Sequence, residues 1–129
     1  MTMTQILLVA LGGGMGSMLR ALLSMLALSR GVADNIAILA INISGSALIG
    51  VAFAFALDGV LPRLGFEFVA IGLLGGYTTV STFAVQVLNL RQNDNQRRAG
   101  WIVLGSLLSC PAACMLAYVA TRALMGGLA

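Results

Sequence analysis

The residues best suited to ion chemistry in this chain lie in one stretch, 75–83, which reads GGYTTVSTF. Two glycines are followed by four hydroxyl residues within five positions, inside an otherwise apolar segment. Lipid cannot satisfy free backbone N–H and C=O groups, so such an interruption is tolerated only against protein or a water-filled cavity. A polar, glycine-opened break in a membrane helix is typical of an ion or substrate site.

Polar residues continue beyond this break along one helix face. Thr79, Thr82, Phe83 and Gln86 follow one another at the i, i+3, i+4, i+7 spacing of a single stripe. The stripe has two interpretations. It lines a polar pathway, or it forms a polar seam that holds two helices together.

Two further side chains are candidates for the same chemistry, and each has a structural alternative. Asn42 shares a helix face with Ser46; its amide either lines a polar pathway or makes an interhelical hydrogen bond. Arg20 is the only charged residue well inside a predicted span. It is either an anchor that reaches the membrane interface or a buried structural or anion-attracting group.

The composition defines the elements that must position these residues. Of the 129 residues, 60% are hydrophobic and 9% charged, and the mean hydropathy is +1.02. A soluble domain carries about 25% charged residues, so we predict an all-α integral membrane protein. At about 20 residues per span, four spans fill a single domain, 1–129, and the third contains the break. The predicted spans are roughly 4–28, 36–57, 66–90 and 99–124.

The net charge of +3 comes entirely from arginine, and membrane topology explains it better than nucleic-acid binding. Two arginines, Arg63 and Arg122, lie on the side of the termini. The opposite side carries Arg30, Arg91, Arg97 and Arg98. This weak bias is compatible with insertion in both orientations. Because four spans make a thin bundle, we expect a dimer, and the charges permit an antiparallel one. No basic residue precedes Arg20, so we expect no cleaved signal peptide.

Two other classes of membrane protein lack their required residues. A small four-span multidrug transporter coupled to protons needs a membrane-embedded carboxylate. Here the acids fall at span ends or in loops, at Asp34, Asp58, Glu67 and Asp94. An intramembrane enzyme is disfavoured because there is no histidine, no buried acid and no evident base for a serine. We interpret Cys110 and Cys114 as small apolar packing residues.

Three stretches taken together resemble the Fluc (CrcB) family of small bacterial fluoride channels. Residues 12–20 read GGGMGSMLR, similar to the glycine-rich run of the family that ends in arginine. Residues 40–45 read AINISG, similar to the asparagine-glycine segment of its second helix. The stretch 75–83 is similar to a signature of two glycines, a bulky residue and Thr-Thr-Phe-Ser-Thr-Phe.

The resemblance implies an antiparallel, dual-topology homodimer with two fluoride pathways in the bacterial inner membrane. Fluoride would leave the cytoplasm by passive permeation, without an enzymatic step. The resemblance also implies a structural sodium ion at the dimer centre. Backbone carbonyls of the third-helix break, at Gly75 and Thr78 of both subunits, would hold this ion.

The resemblance further implies that Asn42 and Phe83 line each pathway. Hydroxyl residues would extend it: Thr79, Ser81, Thr82 and Ser106. These residue types suit fluoride, since a tightly hydrated anion needs strong donors but no countercharge that would trap it. The edge of an aromatic ring is the positive end of its quadrupole and can face an anion.

The chain departs from the family pattern at two pathway positions. Val80 stands where the signature has its first phenylalanine, and Gln86 stands where the family has an acidic residue. Valine offers no ring edge to an anion. An alternative hypothesis is therefore a conduction-impaired subunit of a heteromeric fluoride channel, and a less favoured one is the multidrug transporter considered above.

Overall fold

The computed structural model describes residues 2–93 and 95–126, and within these ranges all regular structure is helical, with no strand. Helix α1 spans Met3–Ser29 and α2 spans Asp34–Leu57. A broken third span covers Arg63–Gln92, and the last helix covers Gln96–Gly126. All four are long and apolar enough to cross a membrane, which confirms the predicted four-helix membrane protein. The predicted loop residue Asp94 lies outside the described residues.

The third span consists of several helical segments. It begins with α3 (Arg63–Phe66), a π-helix (Glu67–Leu74) and α4 (Gly75–Tyr77). After an interruption it continues as α5 (Ser81–Gln92), and α6 is the last helix, Gln96–Gly126. The interruption is present where it was predicted, but it is narrower.

The two glycines of the signature are helical rather than part of the break. Gly75 and Gly76 lie in α4, and the chain leaves the helix at Thr78, where ψ is 154°. Thr78, Thr79 and Val80 separate the two half-helices. The hydroxyl residues, not the glycines, therefore form the interruption.

Helix α1 packs backbone to backbone against the first half of the third span. A Cβ atom added at Gly12 would lie 2.6 Å from the carbonyl oxygen of Phe68. One added at Gly16 would overlap the carbonyl oxygen of Leu73 even more closely. Such contact requires glycine, because any side chain would force the helices apart.

Helix α2 lies between the third span and α6. Its buried residues Ile38 and Ile41 pack with Leu74 and Tyr77 in a small apolar core. Further along, α2 approaches the backbone of α6 closely at Gly50. Large apolar side chains remain exposed on every long helix, as expected for surfaces that meet lipid or a second subunit.

One acidic residue contradicts the expectation that no acid is buried. Glu67, at the start of the π-helix, is only 7% exposed. Its Oε1 atom accepts hydrogen bonds from Gln5 Nε2 at 2.8 Å and Arg63 Nε at 3.1 Å. A buried carboxylate is tolerable when it is paired and hydrogen-bonded, and these bonds tie the start of α1 to the start of the third span.

Candidate ion site at the break of the third span

The break is held by a single side chain from α2. Asn42 Nδ2 donates to the carbonyl oxygen of Thr79 at 2.9 Å, and Asn42 Oδ1 accepts from the N–H of Thr79, also at 2.9 Å. Both backbone groups of Thr79 are thus satisfied without a helix. The interhelical bond, one of the two interpretations of Asn42, is present, and among the described residues the second N–H of its amide is left for another acceptor.

Diversion of backbone donors leaves two carbonyls of the break without their usual helical partners. In a continuous helix the N–H of Thr79 would bond to Gly75 and that of Thr82 to Thr78. Instead, the Thr79 N–H donates to Asn42, and the Thr82 N–H donates to Thr79 Oγ1 at 3.3 Å. The carbonyls of Gly75 and Thr78 are therefore available as oxygen ligands.

Two side chains of α1 donate hydrogen bonds to the Gly76 carbonyl, which lies between those of Gly75 and Thr78 in the sequence. The carbonyl oxygen of Gly76 accepts from Ser17 Oγ at 3.4 Å and from Arg20 Nε at 3.5 Å. The same guanidinium reaches past the break, where Arg20 Nη1 donates to Thr82 Oγ1 at 3.4 Å. Arg20 thus bridges the two half-helices and is directed at the break instead of at the end of its span.

A short chain of hydroxyls begins at the break and continues onto α5. Thr79 Oγ1 lies 3.3 Å from Ser81 Oγ and 3.3 Å from Thr82 Oγ1. By accepting the N–H of Thr82, the Thr79 hydroxyl also caps the first turn of α5. The positive end of the α5 dipole is directed at the break, which favours an anion there.

A groove of about 500 Å³ opens beside the break, between the third span, α2 and α6. It brings together six of the residues predicted for ion binding: Asn42, Gly75, Thr78, Thr79, Val80 and Ser106. Amide, hydroxyl and carbonyl groups line its polar part. Its described lining includes no charged side chain.

The other predicted pathway residues lie beside the groove. Among the described residues, Ser81, Thr82 and Phe83 do not contribute to its lining. Phe83 is half-buried and packs against the apolar core that contains Tyr77. Val80, in contrast, is 81% exposed at the groove's edge.

Sequence reasoning missed the position of one groove residue. Cys110, interpreted as an apolar packing residue, lines the groove one turn beyond Ser106, and its sulfur lies 3.8 Å from Ser106 Oγ. The i, i+4 spacing of these two residues was the available signal. Cys114, one turn further along, lines a different cavity next to Gly50.

A sequence profile described as "CrcB-like protein, Camphor Resistance (CrcB)" matches residues 7–118. A protein of Opitutus terrae named "Fluoride-specific ion channel FluC" is 39% identical over 122 residues, which cover 92% of each chain. A protein of the same name from Thermus thermophilus is 38% identical, covering 96% of this chain and 100% of its own. Another, from Paramagnetospirillum magneticum, is 40% identical, with coverage of 88% and 91%.

These similarities extend over the glycine-rich part of α1, the Asn42 segment and the break, the same three stretches that carried the resemblance. The matched region includes every residue that positions the candidate site. The resemblance inferred from the motifs is therefore confirmed, and the chain belongs to the CrcB family.

Proposed function

We propose that this chain forms a fluoride-selective channel that lets cytoplasmic fluoride leave the cell by passive permeation. The observation that supports it best is the groove beside the break, which offers amide and hydroxyl donors without a charged side chain in its described lining. Such a surface can replace water around a small anion and still release it. The family relatives named fluoride-specific channels point to the same ion.

The pathway in this proposal begins at the groove and continues along α5. Asn42 offers its remaining N–H, and Thr79 and Ser106 offer hydroxyls. The hydroxyls of Ser81 and Thr82 continue from Thr79 toward Phe83, whose ring edge would face the ion. Val80 occupies the groove's edge and contributes only apolar surface.

The functional unit in this proposal is an antiparallel homodimer with two pathways, inserted in the bacterial inner membrane. A second copy would cover the open side of the groove. Two features of the single chain support this proposal. Gly75 and Val80 are exposed beside polar groups, a costly arrangement against lipid, and the arginine bias between the two faces is weak.

A structural sodium ion at the dimer centre also belongs to the proposal, and the residues fit it. The carbonyls of Gly75 and Thr78 have lost their usual helical donors, and oxygen ligands of this kind suit a hard cation. When bound, the ion would supply positive potential and tie the two breaks together. The chain's own contribution is to hold both carbonyls free through Asn42 and Thr79.

The decisive experiment is fluoride release from liposomes that contain only the purified protein, measured with a fluoride electrode while chloride release is followed in parallel. We expect rapid fluoride release without chloride release. Chloride release at a similar rate would contradict fluoride selectivity. No fluoride release from a folded dimer would contradict a homodimeric channel.

The exposure of Val80 at the groove also favours a second candidate, a conduction-impaired subunit that needs a different partner. In that case a homologous chain with phenylalanine at this position would co-purify and restore flux. High flux by the pure homodimer would eliminate this candidate.

A further inference from the structure

A second polar cluster lies where the middle of α5 meets the start of α2, away from the break. Gln86 Nε2 donates a hydrogen bond to Asp34 Oδ2 at 2.7 Å, linking α5 to the first turn of α2. Asn35, the next residue of α2, is only 8% exposed and Gln86 only 7%. Asp34 itself is exposed. The cluster thus consists of two buried amides and the carboxylate of an exposed residue, which accepts a hydrogen bond from one of the amides.

Two buried polar atoms of this cluster lack hydrogen-bond partners among the described residues. They are Asn35 Nδ2, a donor, and Gln86 Oε1, an acceptor. A buried polar group without a partner is costly, and most such groups are satisfied by another group, a water or an ion. The free Asn35 donor therefore indicates space for a polar species that the protein itself does not supply.

The backbone at this position favours an anion as that species. Helix α2 has 24 residues, and the residue before it, Ala33, provides no side-chain cap among the described residues. The first N–H groups of a helix are unsatisfied donors, and they carry the positive end of its dipole. Asn35 is the second residue of α2, so its unpartnered amide belongs to the same first turn as these N–H groups.

The cluster also continues the two helix faces that meet at the break. Asn35 lies seven residues before Asn42 on α2, and Gln86 lies seven residues after Thr79 on the third span. On α2, seven residues make two helical turns, about 10 Å of rise along the axis. On the third span the helix resumes at Ser81, so Gln86 lies in the second turn of α5. Thr82 and Phe83 lie between the two levels on the same stripe of α5.

We propose that Asn35 and Gln86 form a second binding station for a small anion, and that the Asp34 carboxylate occupies the Gln86 donor of this station as a tethered anion. An incoming anion must displace Asp34 from the Gln86 amide before it can use these donors. For fluoride this inference rests on the proposed function, because fluoride reaches the station only if the pathway runs along α5. Asp34 then limits the rate at which the station exchanges anions.

Three variants test the proposal by fluoride efflux from liposomes. Asp34→Asn keeps the shape but removes the competing charge, and should raise efflux by about fivefold, the effect expected of one hydrogen bond. Asn35→Leu should lower efflux by about the same factor. The control is Asp58→Asn, which makes the same charge change at the other end of α2, where Asp58 pairs with Arg122. It should leave efflux unchanged.

A second measurement does not depend on conduction. The melting temperature of the purified protein is measured as sodium fluoride replaces sodium chloride at constant ionic strength. A bound anion stabilises the folded protein by linkage. The fluoride-dependent rise should be larger in Asp34→Asn and smaller in Asn35→Leu than in the wild type, and unchanged in Asp58→Asn.

The outcomes separate this inference from the proposed function. If the wild type releases fluoride but neither Asp34→Asn nor Asn35→Leu changes efflux or the fluoride-dependent melting temperature, the second station is wrong and the channel stands. Slower efflux in Asp34→Asn would also overturn the second station, because the carboxylate would then assist permeation and not compete with the incoming anion. If the wild type releases no fluoride, the proposed function fails. The fluoride-dependent melting temperatures of the wild type, Asp34→Asn and Asn35→Leu then decide by themselves whether the second station exists.

Discussion

The side chain of Asn42 satisfies the backbone N–H and C=O groups of Thr79, as helical hydrogen bonds do elsewhere in the third span. Its amide offers one donor and one acceptor, which match the two backbone groups of Thr79 at 2.9 Å each. A hydroxyl carries its donor and acceptor on one oxygen, and a carboxylate has no donor, so neither matches the two separate atoms that the amide offers. The residue type is therefore dictated by the break itself, before any role toward an ion is considered.

Replacing Asn42 with aspartate should damage both the break and the pathway. The carboxylate would keep the bond from the Thr79 N–H but would place an oxygen against the Thr79 carbonyl, costing about 1–3 kcal/mol of stability. Its charge would also repel fluoride in the groove. We expect a lower melting temperature and almost complete loss of efflux. Asn89→Asp, at an exposed position of α5, is the control, and normal efflux in Asn42→Asp would contradict the role of Asn42.

Phe83 and Val80 occupy the two phenylalanine positions of the family signature, and substitutions there test the aromatic part of the pathway. Phe83→Ile keeps an apolar side chain against Tyr77 but removes the ring edge, and should lower fluoride efflux by about tenfold or more, roughly 1.4 kcal/mol on the barrier. Size-exclusion chromatography should show the same oligomeric state as for the wild type. Efflux equal to that of the wild type would remove Phe83 from the pathway.

Val80→Phe should preserve or raise efflux, because the exposed valine contributes only apolar surface at the groove's edge. The matched measurement uses the same liposome assay and the same protein density. Complete loss of efflux in Val80→Phe would mean that the pathway of this chain is built around valine.

Cys110 provides a native reporter for the groove. A methanethiosulfonate reagent that reaches the groove would attach to this sulfur beside Ser106 and obstruct the donors. We expect the reagent to suppress fluoride efflux in the wild type and in Cys114→Ser, but not in Cys110→Ser. Block that persists in Cys110→Ser would show that the ion does not pass this part of α6.

At the scale of elements, the third span depends on close contact with α1. Gly12 and Gly16, here called the glycine seam, let the two backbones approach closely. Only at that separation do Ser17 and Arg20 reach the Gly76 carbonyl. The geometry of the break thus depends on the packing of two helices as well as on its own sequence.

Gly16→Ala should therefore disturb the break from a distance. The added methyl would meet the backbone oxygen of Leu73, and relieving this overlap should cost about 1–3 kcal/mol. The variant should melt at a lower temperature and conduct less fluoride. Gly14→Ala on the same helix is the control, because its Cβ would meet nothing within 4 Å. Equal stability of the two variants would contradict the importance of the seam.

The sequence predicted those features that polar residues mark within an apolar run. It did not predict features that depend on how distant parts of the chain pack together. The hydroxyls at 78–82 and Asn42 stand out against their surroundings, so the break and its partner helix were predictable. The π-helix Glu67–Leu74 was not, since its residues, EFVAIGLL, suit an α-helix equally well. The burial of Glu67 was also missed, because it depends on Gln5, a residue 62 positions away.

At the scale of the whole molecule, the surface of the single chain differs in polarity from one part to another. Helix α6 packs mainly on α2 and leaves large apolar residues such as Trp101 and Leu107 exposed. The groove opens beside α6 and ends at exposed residues of the break. A surface that is apolar over most of its area and polar at one point suits lipid together with a second subunit.

The arginine distribution gives a direct test of dual topology. Two arginines lie on one face and four on the other, so we expect reporters fused to the C-terminus to show both orientations, with one in excess. The double variant Arg97→Gln, Arg98→Gln equalises the two faces and should bring the orientation ratio closer to one. A single orientation in the wild type and in this variant would contradict the antiparallel dimer.

The bond between Asn42 and Thr79 has a consequence for how the protein is made. A segment with unsatisfied backbone groups in its middle is a poor substrate for transfer from the translocon into lipid. Here the groups of Thr79 are satisfied by a side chain from α2, which is synthesised first. We therefore expect the second span to remain beside the translocon until the third emerges, so that the two enter the membrane as a hydrogen-bonded pair.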